Sequence, residues 1–322
     1  MKSSCQYKPA KIYYVILVLL ITFYMKPVYS QDSTSVDSTI VDTTTEKPKV
    51  KPVKNTFESV WIIDNQTVMV PIKGTFEMDF QHRFGVVKNG YDDFFGLFAS
   101  SNIRLGANYS PIDKLSVGLG LTKYNMMWDF NAKYAIIEQM TNDRWPVSVT
   151  YYGNAAIDSR PADNFLYFSD RLTFFNQLII ARKISEKFSA QVAPSHSHTN
   201  TVNGYYSEPG KVSPERNHDH FAIALSGRYL LKESMAVLVN YDQPITKHKS
   251  GNPHPNLSIG MELNTSAHAF QFFFGNYYNL SPQQNNMYNQ NNPLGEYTDK
   301  GGKEHKGYQY LIGFNITRLW NY

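Results

Sequence analysis

The chain has 322 residues, a formal net charge of +4 and a single cysteine, and 15% of its residues are aromatic. No apolar run after residue 24 is long enough to cross a bilayer as a helix, which excludes helical transporters and receptors. So many aromatic side chains in a polar sequence are typical of a protein at a boundary between water and lipid.

The first thirty residues have the organisation of a secretory signal peptide. Three lysines precede an apolar stretch at residues 12–24, and Val28 and Ser30 stand at the positions that a signal peptidase reads ahead of Gln31. This stretch is shorter than a typical transmembrane helix, which favours a cleaved signal peptide. The alternative is an uncleaved membrane anchor. Removal of residues 1–30 leaves 27 of the 31 basic residues against 27 acidic ones. The mature chain is therefore formally neutral and gives no indication of nucleic-acid binding.

Residues 31–55 show no apolar periodicity. They open with repeats of Asp followed by Ser or Thr and continue with a Pro/Lys-rich stretch at residues 47–54. This composition favours an extended, solvated chain, so we expect a disordered linker on the periplasmic side. The Asp-Ser-Thr and Asp-Thr-Thr triplets also resemble the O-glycosylation signal of some Gram-negative bacteria.

From Thr75 onward the hydrophobic pattern has a period of two. At residues 75–84 the even positions are mainly aromatic and apolar, and the odd positions are polar or charged. This alternation indicates a strand with lipid or a core on one side. The pattern recurs and predicts twelve strands, at residues 75–84, 102–109, 115–122, 128–134, 146–157, 171–182, 187–198, 220–230, 234–242, 256–264, 268–276 and 307–318.

The connections between these strands are sorted by length. Even-numbered connections are short, and all odd-numbered ones except the third, near Asn125, are long. Outer-membrane barrels are built with long loops on one side and short turns on the other, whereas a β-sandwich has no reason to sort its loops. We therefore predict an all-β fold, an antiparallel up-and-down transmembrane β-barrel of about 12 strands at residues 56–322. Both termini would be periplasmic.

The end of the chain supports this architecture. The last predicted strand is amphipathic, with Tyr308 among its aromatic residues, and Trp320 and Tyr322 continue its parity. A terminal strand of this kind resembles the signal that the barrel-assembly machinery reads. In lipid every backbone amide must be paired, so we expect this strand to close the ring against the first.

Several motifs also resemble those of a known family. They are Gln81-His82-Arg83-Phe84-Gly85, Phe95-Gly96-Leu97, Ile103-Arg104-Leu105-Gly106, His268-Ala269-Phe270-Gln271-Phe272 and Gly313-Phe314-Asn315-Ile316-Thr317-Arg318. In this order, and across residues 57–322, the sequence resembles a Bacteroidetes family of predicted outer-membrane β-barrel proteins of unknown function, a DUF-type family. It departs from the family at residues 265–267, where glycines are expected. The resemblance implies location and architecture and supplies no catalytic or ligand-binding residue.

Charged residues occupy inward positions of the predicted strands. We expect the opposite charges to neutralise one another across strands in a polar interior. The alternative is a constriction at which opposed charges handle a small polar solute, with weak preference for anions or cations. The candidate lumen-lining residues are Glu77, Asp79, Arg83, Arg104, Asp129, Lys133, Arg228 and Glu262.

Histidines gather around the fourth odd-numbered connection, at residues 199–219. His196 and His198 share one strand face, and His218 and His220 share another, so either pair could hold a transition metal. Their parities place the two pairs on opposite faces, and polar loop histidines are the simpler interpretation. Residues 195–200 contain the Ser, His and Asn side chains that outer-membrane phospholipases use at the outer rim, but the order of these residues differs from that family's motif. We predict no metal, cofactor or phosphate-binding loop.

These patterns leave three functional hypotheses. The leading one is a narrow pore or solute-uptake barrel for a small polar solute. The second is a closed barrel that acts as a surface binding or scaffold protein through loops 199–219 and 277–306. The third is a lipid hydrolase at the outer rim. The partners expected in each case are outer-membrane lipid and, during biogenesis, the barrel-assembly machinery.

Overall fold

A computed structural model describes residues 50–292, 294–298, 302, 304–307 and 309–321. The predicted signal peptide at 1–30, most of the predicted linker at 31–55, and both Tyr308 and Tyr322 lie outside the described residues, so these assignments stay predictions. Within the described part of the chain, no helix is long and apolar enough to span a membrane.

Twelve long strands confirm the predicted pattern. They are β1 (Thr75–Val86), β2 (Asn102–Ile112), β3 (Leu115–Thr122), β4 (Met127–Ile137), β5 (Ser148–Asp158), β6 (Leu172–Lys183), β7 (Phe188–Thr199), β8 (Asp219–Lys232), β9 (Met235–Pro244), β10 (Asn256–Asn264), β11 (His268–Gly275) and β12 (Leu311–Asn321). The last strand begins at Leu311 rather than at residue 307. Each strand pairs antiparallel with the next, and β12 pairs with β1. The fold is therefore the predicted closed, up-and-down β-barrel of twelve strands.

The strands bury polar side chains and expose apolar ones. In β4, for example, Asp129 and Lys133 are buried, whereas Trp128, Phe130 and Tyr134 are exposed on the outer surface. This arrangement is the reverse of that in a water-soluble protein, and it suits a barrel whose outer face contacts lipid. The period-two pattern thus reflects a polar interior surrounded by an apolar exterior.

The two ends of the barrel differ. At one end the connections are turns of two to four residues, apart from residues 138–147 between β4 and β5. At the other end they have eleven residues or more, apart from residues 123–126 between β3 and β4. The long connections include L3 (residues 159–171), L4 (residues 200–218) and L6 (residues 276–310). In the described part of the chain, the short helices are α1 (Pro282–Tyr288), in L6, and the 3-10 helices Val87–Asp93, Tyr124–Met126, Ala162–Asn164 and Phe168–Arg171. Two small hairpins, Gly204–Glu208 with Lys211–Pro214 and Glu296–Thr298 with Glu304–Lys306, extend L4 and L6.

The barrel is filled by the segment that precedes β1. Residues 57–72, which we call the plug segment, enter and leave at the short-turn end, where Gly74 N donates to Ser110 O and Val53 N donates to Gln139 O. Inside the barrel, Trp61–Ile62 and Asn65–Gln66 form a two-stranded hairpin. The sequence pattern gave no indication that this segment lies in the lumen. Its buried apolar residues form a core with inward residues of the strands and of L6, namely Phe57, Ile62, Ile63, Val68, Tyr152, Phe175, Ile179, Ala181, Ala193, Ala224, Leu238, Phe273 and Tyr277.

Candidate functional site: the occluded lumen

The structure places all eight candidate lumen-lining residues on inward, buried positions of the strands. Their surroundings differ, because some pair with one another and others reach the plug segment or uncharged neighbours. The eight side chains are Glu77, Asp79, Arg83, Arg104, Asp129, Lys133, Arg228 and Glu262.

Arg104 forms the centre of a buried charge cluster. Its Nη1 donates to Asp79 Oδ1 at 2.6 Å, and its Nε and Nη2 donate to the two Asp129 oxygens at 2.9 and 2.8 Å. Two strand glycines, Gly106 and Gly120, make room for it, because a Cβ atom at either position would overlap the Asp79 carboxylate or the Arg104 guanidinium. The bidentate geometry and full burial fix the guanidinium between two carboxylates.

A second ion pair lies on the opposite arc of the ring. Arg228 Nε donates to Glu262 Oε1 at 2.8 Å, and both side chains are buried. Glu262 Oε2 accepts a further hydrogen bond from Gln271 Nε2 at 3.0 Å. The Arg104 cluster and this pair together bring five of the eight charged side chains into contact with an opposite charge across strands.

The other three charged residues have different neighbours. Lys133 Nζ donates to Gln66 Oε1 at 2.8 Å and to the Val60 carbonyl at 3.3 Å, so its ammonium binds the plug segment. Arg83 donates to Asn315 Oδ1 at 2.9 Å, and its guanidinium lies 4.5 Å from the Phe273 ring centroid. Glu77 accepts from Asn108 Nδ2 at 3.2 Å.

Inward amide and hydroxyl side chains hold the plug segment. Gln177 Nε2 donates to Asn65 Oδ1 at 2.9 Å, Gln191 Nε2 donates to the Gln66 carbonyl at 2.9 Å, and Thr150 Oγ1 donates to the Val68 carbonyl at 3.0 Å. Further bonds come from side chains of β9, β11 and β12. Sequence reasoning considered only charged residues and missed these groups. The signal that could have found them is the excess of Gln and Asn on inward positions.

A carboxylate of the plug segment lies within this polar surround. Asp64 Oδ1 accepts from Asn240 Nδ2 and from the Tyr277 hydroxyl, each at 2.9 Å. Neighbouring Asn65 donates to Asp242 Oδ1 at 2.8 Å. Burial raises the pKa of Asp64 to about 6, an effect that the nearby Arg83 guanidinium partly offsets.

The end of the lumen that carries the long loops is closed by L6. In α1, Gln283 Nε2 donates to Asn154 Oδ1 at 2.8 Å, and Asn286 Oδ1 accepts from Asn256 Nδ2 at 3.2 Å. A gap of about 10 Å³ remains where Trp61 of the plug segment faces this loop, which is room for one water molecule. The plug segment and α1 therefore occlude the barrel axis from opposite ends.

The serine and histidine stretch of β7 divides between the two faces of the strand. Ser195 and Ser197 are buried on the inward side, whereas His196 and His198 point outward, each 2.8 Å from Asp219 Oδ1. Because Ser195 and His196 point in opposite directions, they do not form a nucleophile–base pair.

The second histidine pair is split. His220 is buried and hydrogen-bonds to His248 at 2.9 Å, but the His218 ring centroid lies 6.3 Å from that of His198. The expectation that His218 and His220 share one face fails, because β8 begins only at Asp219 and His218 belongs to the loop. Among the residues that the structure describes, no group of three or more His, Cys, Asp or Glu side chains is arranged to hold a metal ion.

Comparison with known proteins gives one family. The family described as membrane bound beta barrel domain (DUF5777) matches residues 57–320, a range that begins with the plug segment. No curated protein matches the chain in sequence.

Solved structures resemble the chain in shape at very low sequence identity. A NanC porin is 7% identical with a TM-score of 0.44, covering 77% of this chain and 99% of that chain. An outer membrane channel from Pseudomonas putida F1 is 10% identical with a TM-score of 0.43, covering 78% and 97%. The Pseudomonas putida toluene transporter TodX is 8% identical with a TM-score of 0.36, covering 79% and 91%. Because these TM-scores are below 0.5, the architecture rests on the strand pairing of this chain itself.

Proposed function

This chain belongs to the DUF5777 family of membrane-bound beta barrel domains, and from that premise we propose that it is an outer-membrane barrel closed by its own plug segment. In this proposal, release of the plug segment opens a narrow path for a small polar solute. The observation that carries the proposal is the way in which the plug segment is held. Among the residues that the structure describes, the two strands of its hairpin pair with each other and with no barrel strand, and side chains of the barrel strands bind the hairpin across the lumen.

Such an attachment is compatible with release. A strand of the barrel could leave only by breaking two ladders of backbone hydrogen bonds, whereas the plug segment is held by separate side-chain bonds worth about 1 kcal/mol each in net terms. Burial of Phe57, Ile62 and Ile63 adds apolar stabilisation that favours the closed state. The closed state is therefore the stable one, and opening is a local rearrangement that leaves the barrel intact.

The surface exposed by release would be polar. It would carry the Arg104 cluster, the Arg228–Glu262 pair and the inward amides, all of which interact well with water and with hydroxyl-bearing solutes. Since the charges are largely paired, we expect weak ion selectivity. The short turns lie at the end where the plug segment enters, which supports a periplasmic position for both termini.

Planar-bilayer recording tests this proposal. We expect residues 31–322 to show rare openings, and the double variant Gln271→Ala/Asn315→Ala, which removes two groups that bind the plug hairpin, to open more often. Gln243→Ala is the matched control because Gln243 lies on the outward face of β9. Heat-dependent gel mobility shows whether the double variant is folded. A folded double variant with an accessible plug segment that shows no channel openings would overturn the proposed pore.

That silent outcome would favour the second candidate, a closed surface-binding barrel. The observation that favours this candidate is the docking of α1 at the long-loop end, because a pore that the plug segment already closes needs no second closing element. The same recordings therefore separate the two candidates.

A further inference from the structure

A cavity of about 570 Å³ opens at the outer end of the barrel, above α1. L3, L4 and α1 surround it, and Thr173 and Thr199 lie at the strand ends that border it. Its volume falls within the usual range for small-molecule sites. Because the cavity lies outside α1 and the plug segment, a ligand could occupy it while the lumen stays closed.

The charged groups of the cavity are balanced in number and already have contacts within the protein. Arg160 Nη2 lies 2.7 Å from Asp158 Oδ2, and its Nε also contacts that carboxylate. Arg171 Nη1 donates to the backbone carbonyls of Asp158 and Arg160, and the Asp170 carboxylate accepts from Tyr167 N at 2.9 Å. With two acids and two bases in internal contacts, the cavity offers no excess of charge that would select an ion.

Two aromatic rings of the cavity are held in place by arginines. Phe165 has the Arg171 guanidinium 4.4 Å from its ring centroid and that of Arg160 at 5.7 Å, while Tyr288 has Arg216 at 4.9 Å. Cation–π contacts of this kind orient a ring without burying it. Oriented rings at a cavity offer apolar surfaces on which an uncharged ligand can pack.

Uncharged polar side chains complete the lining. Thr173 and Gln284 border the cavity, and Gln284 donates through Nε2 to Met127 Sδ at 3.3 Å. Side-chain amides supply further polar groups, at Asn125, Asn164, Asn203 and Asn279. An amide both donates and accepts hydrogen bonds, as a sugar hydroxyl does.

We infer that this cavity binds a short neutral oligosaccharide. The C–H faces of a pyranose ring are apolar and would pack on Phe165 and Tyr288, and its hydroxyls would bond to the side-chain amides. A hydrocarbon would leave these amides without partners, and a simple anion would meet as many acids as bases. This inference concerns the outer surface and does not rest on the proposed opening of the lumen.

A glycan array tests the inference. Fluorescently labelled, detergent-solubilised chain would be applied to neutral and acidic glycans, and we expect retention by neutral oligosaccharides. Retention by acidic glycans alone, or by no glycan, would overturn the inference. For the best-retained neutral glycan, titration calorimetry should show an at least tenfold weaker Kd in Phe165→Ala and in Tyr288→Ala.

Matched controls distinguish the loss of cavity contacts from a loss of folding and from a change in the plug segment. Phe98→Ala and Tyr206→Ala remove aromatic rings that are 82% and 78% exposed and lie outside the cavity, so they should leave the Kd unchanged. If the aromatic variants fail to fold, Asn203→Ala, which removes a lining amide, tests the same cavity and should weaken binding. Gln271→Ala, which alters the plug contacts, should bind the glycan as the wild type does. Equal loss in the two exposed-ring controls would also contradict the inference.

Discussion

The Gln271 side chain donates through Nε2 to the Trp61 carbonyl at 2.8 Å, and its Oε1 accepts from Ile63 N at 3.1 Å. One amide of β11 therefore satisfies a donor and an acceptor on the same side of the plug hairpin. This reciprocal pair constrains the height and the rotation of the hairpin inside the barrel, because both bonds must be kept at once.

Gln271→Ala should loosen the plug segment. It leaves buried backbone groups at Trp61 and Ile63 without their partner, at a cost of about 1–3 kcal/mol. The sole natural cysteine, Cys5, lies in the predicted signal peptide, so Val68→Cys gives residues 31–322 one buried thiol as a reporter. We expect the labelling rate of this thiol by dithiodipyridine to rise about five- to hundredfold in the Gln271→Ala background.

Gln243→Ala serves as the control for this measurement, because the Gln243 side chain is bonded to Tyr241 on the outward face of β9. Its labelling rate should equal that of the reporter alone. An unchanged rate in Gln271→Ala would mean that the plug segment does not depend on this contact.

Docking of the plug segment should strengthen as the pH falls. Burial raises the pKa of Asp64 to about 6 in the docked state, against an ordinary value of 3.8. The docked state therefore binds the proton more tightly, and docking weakens as the pH rises from about 4 through 6. The neighbours that share this environment are Arg83, Asn240, Asp242 and Tyr277.

The same thiol reporter measures this pH dependence. Rates at pH 4.5 and 7.5, each divided by the rate of the urea-unfolded chain, should give slower relative labelling at pH 4.5. Asp64→Asn resembles the protonated side chain and should label slowly at both pH values. A pH dependence that persists unchanged in Asp64→Asn would assign it to another group.

Arg104→Met should destabilise the barrel strongly. The substitution leaves the Asp79 and Asp129 carboxylates buried without their cation, and breaking a buried ion pair from one side costs about 3–5 kcal/mol. Urea unfolding in lipid vesicles, followed by tryptophan fluorescence, measures the change. The triple variant Arg104→Met/Asp79→Asn/Asp129→Asn should recover at least half of the loss, since the buried charges are then removed together. A single variant as stable as the wild type would show that the lumen hydrates these carboxylates.

Gly120→Ala should disturb the same cluster sterically. A Cβ at Gly120 would overlap the Arg104 guanidinium and the Asp129 carboxylate, and overpacking of this kind costs about 1–3 kcal/mol. Gly153→Ala is the matched control, because its Cβ would meet only the Tyr151 side chain, at 3.3 Å or more, on the outer surface. Equal stability of the two variants in urea would contradict the steric argument.

Part of the candidate site could be predicted from the sequence. Strand parity placed Arg104, Asp79 and Asp129 among the inward positions, and opposite charges predicted pairing across strands. Parity could not predict which acid Arg104 contacts, nor that Lys133 binds the plug segment. The positions of α1 and of residues 57–72 also escaped prediction, because neither segment has a repeating pattern.

The sequence by itself determined the barrel, because period-two hydrophobicity and the alternation of long and short connections are local features that each strand repeats. Only the tertiary structure decided what fills the barrel. The contact between Gln271 and Trp61 joins residues 210 positions apart, and side-chain amides can bond to almost any polar group. Such contacts depend on which groups the closed ring brings together, and no local pattern encodes that choice.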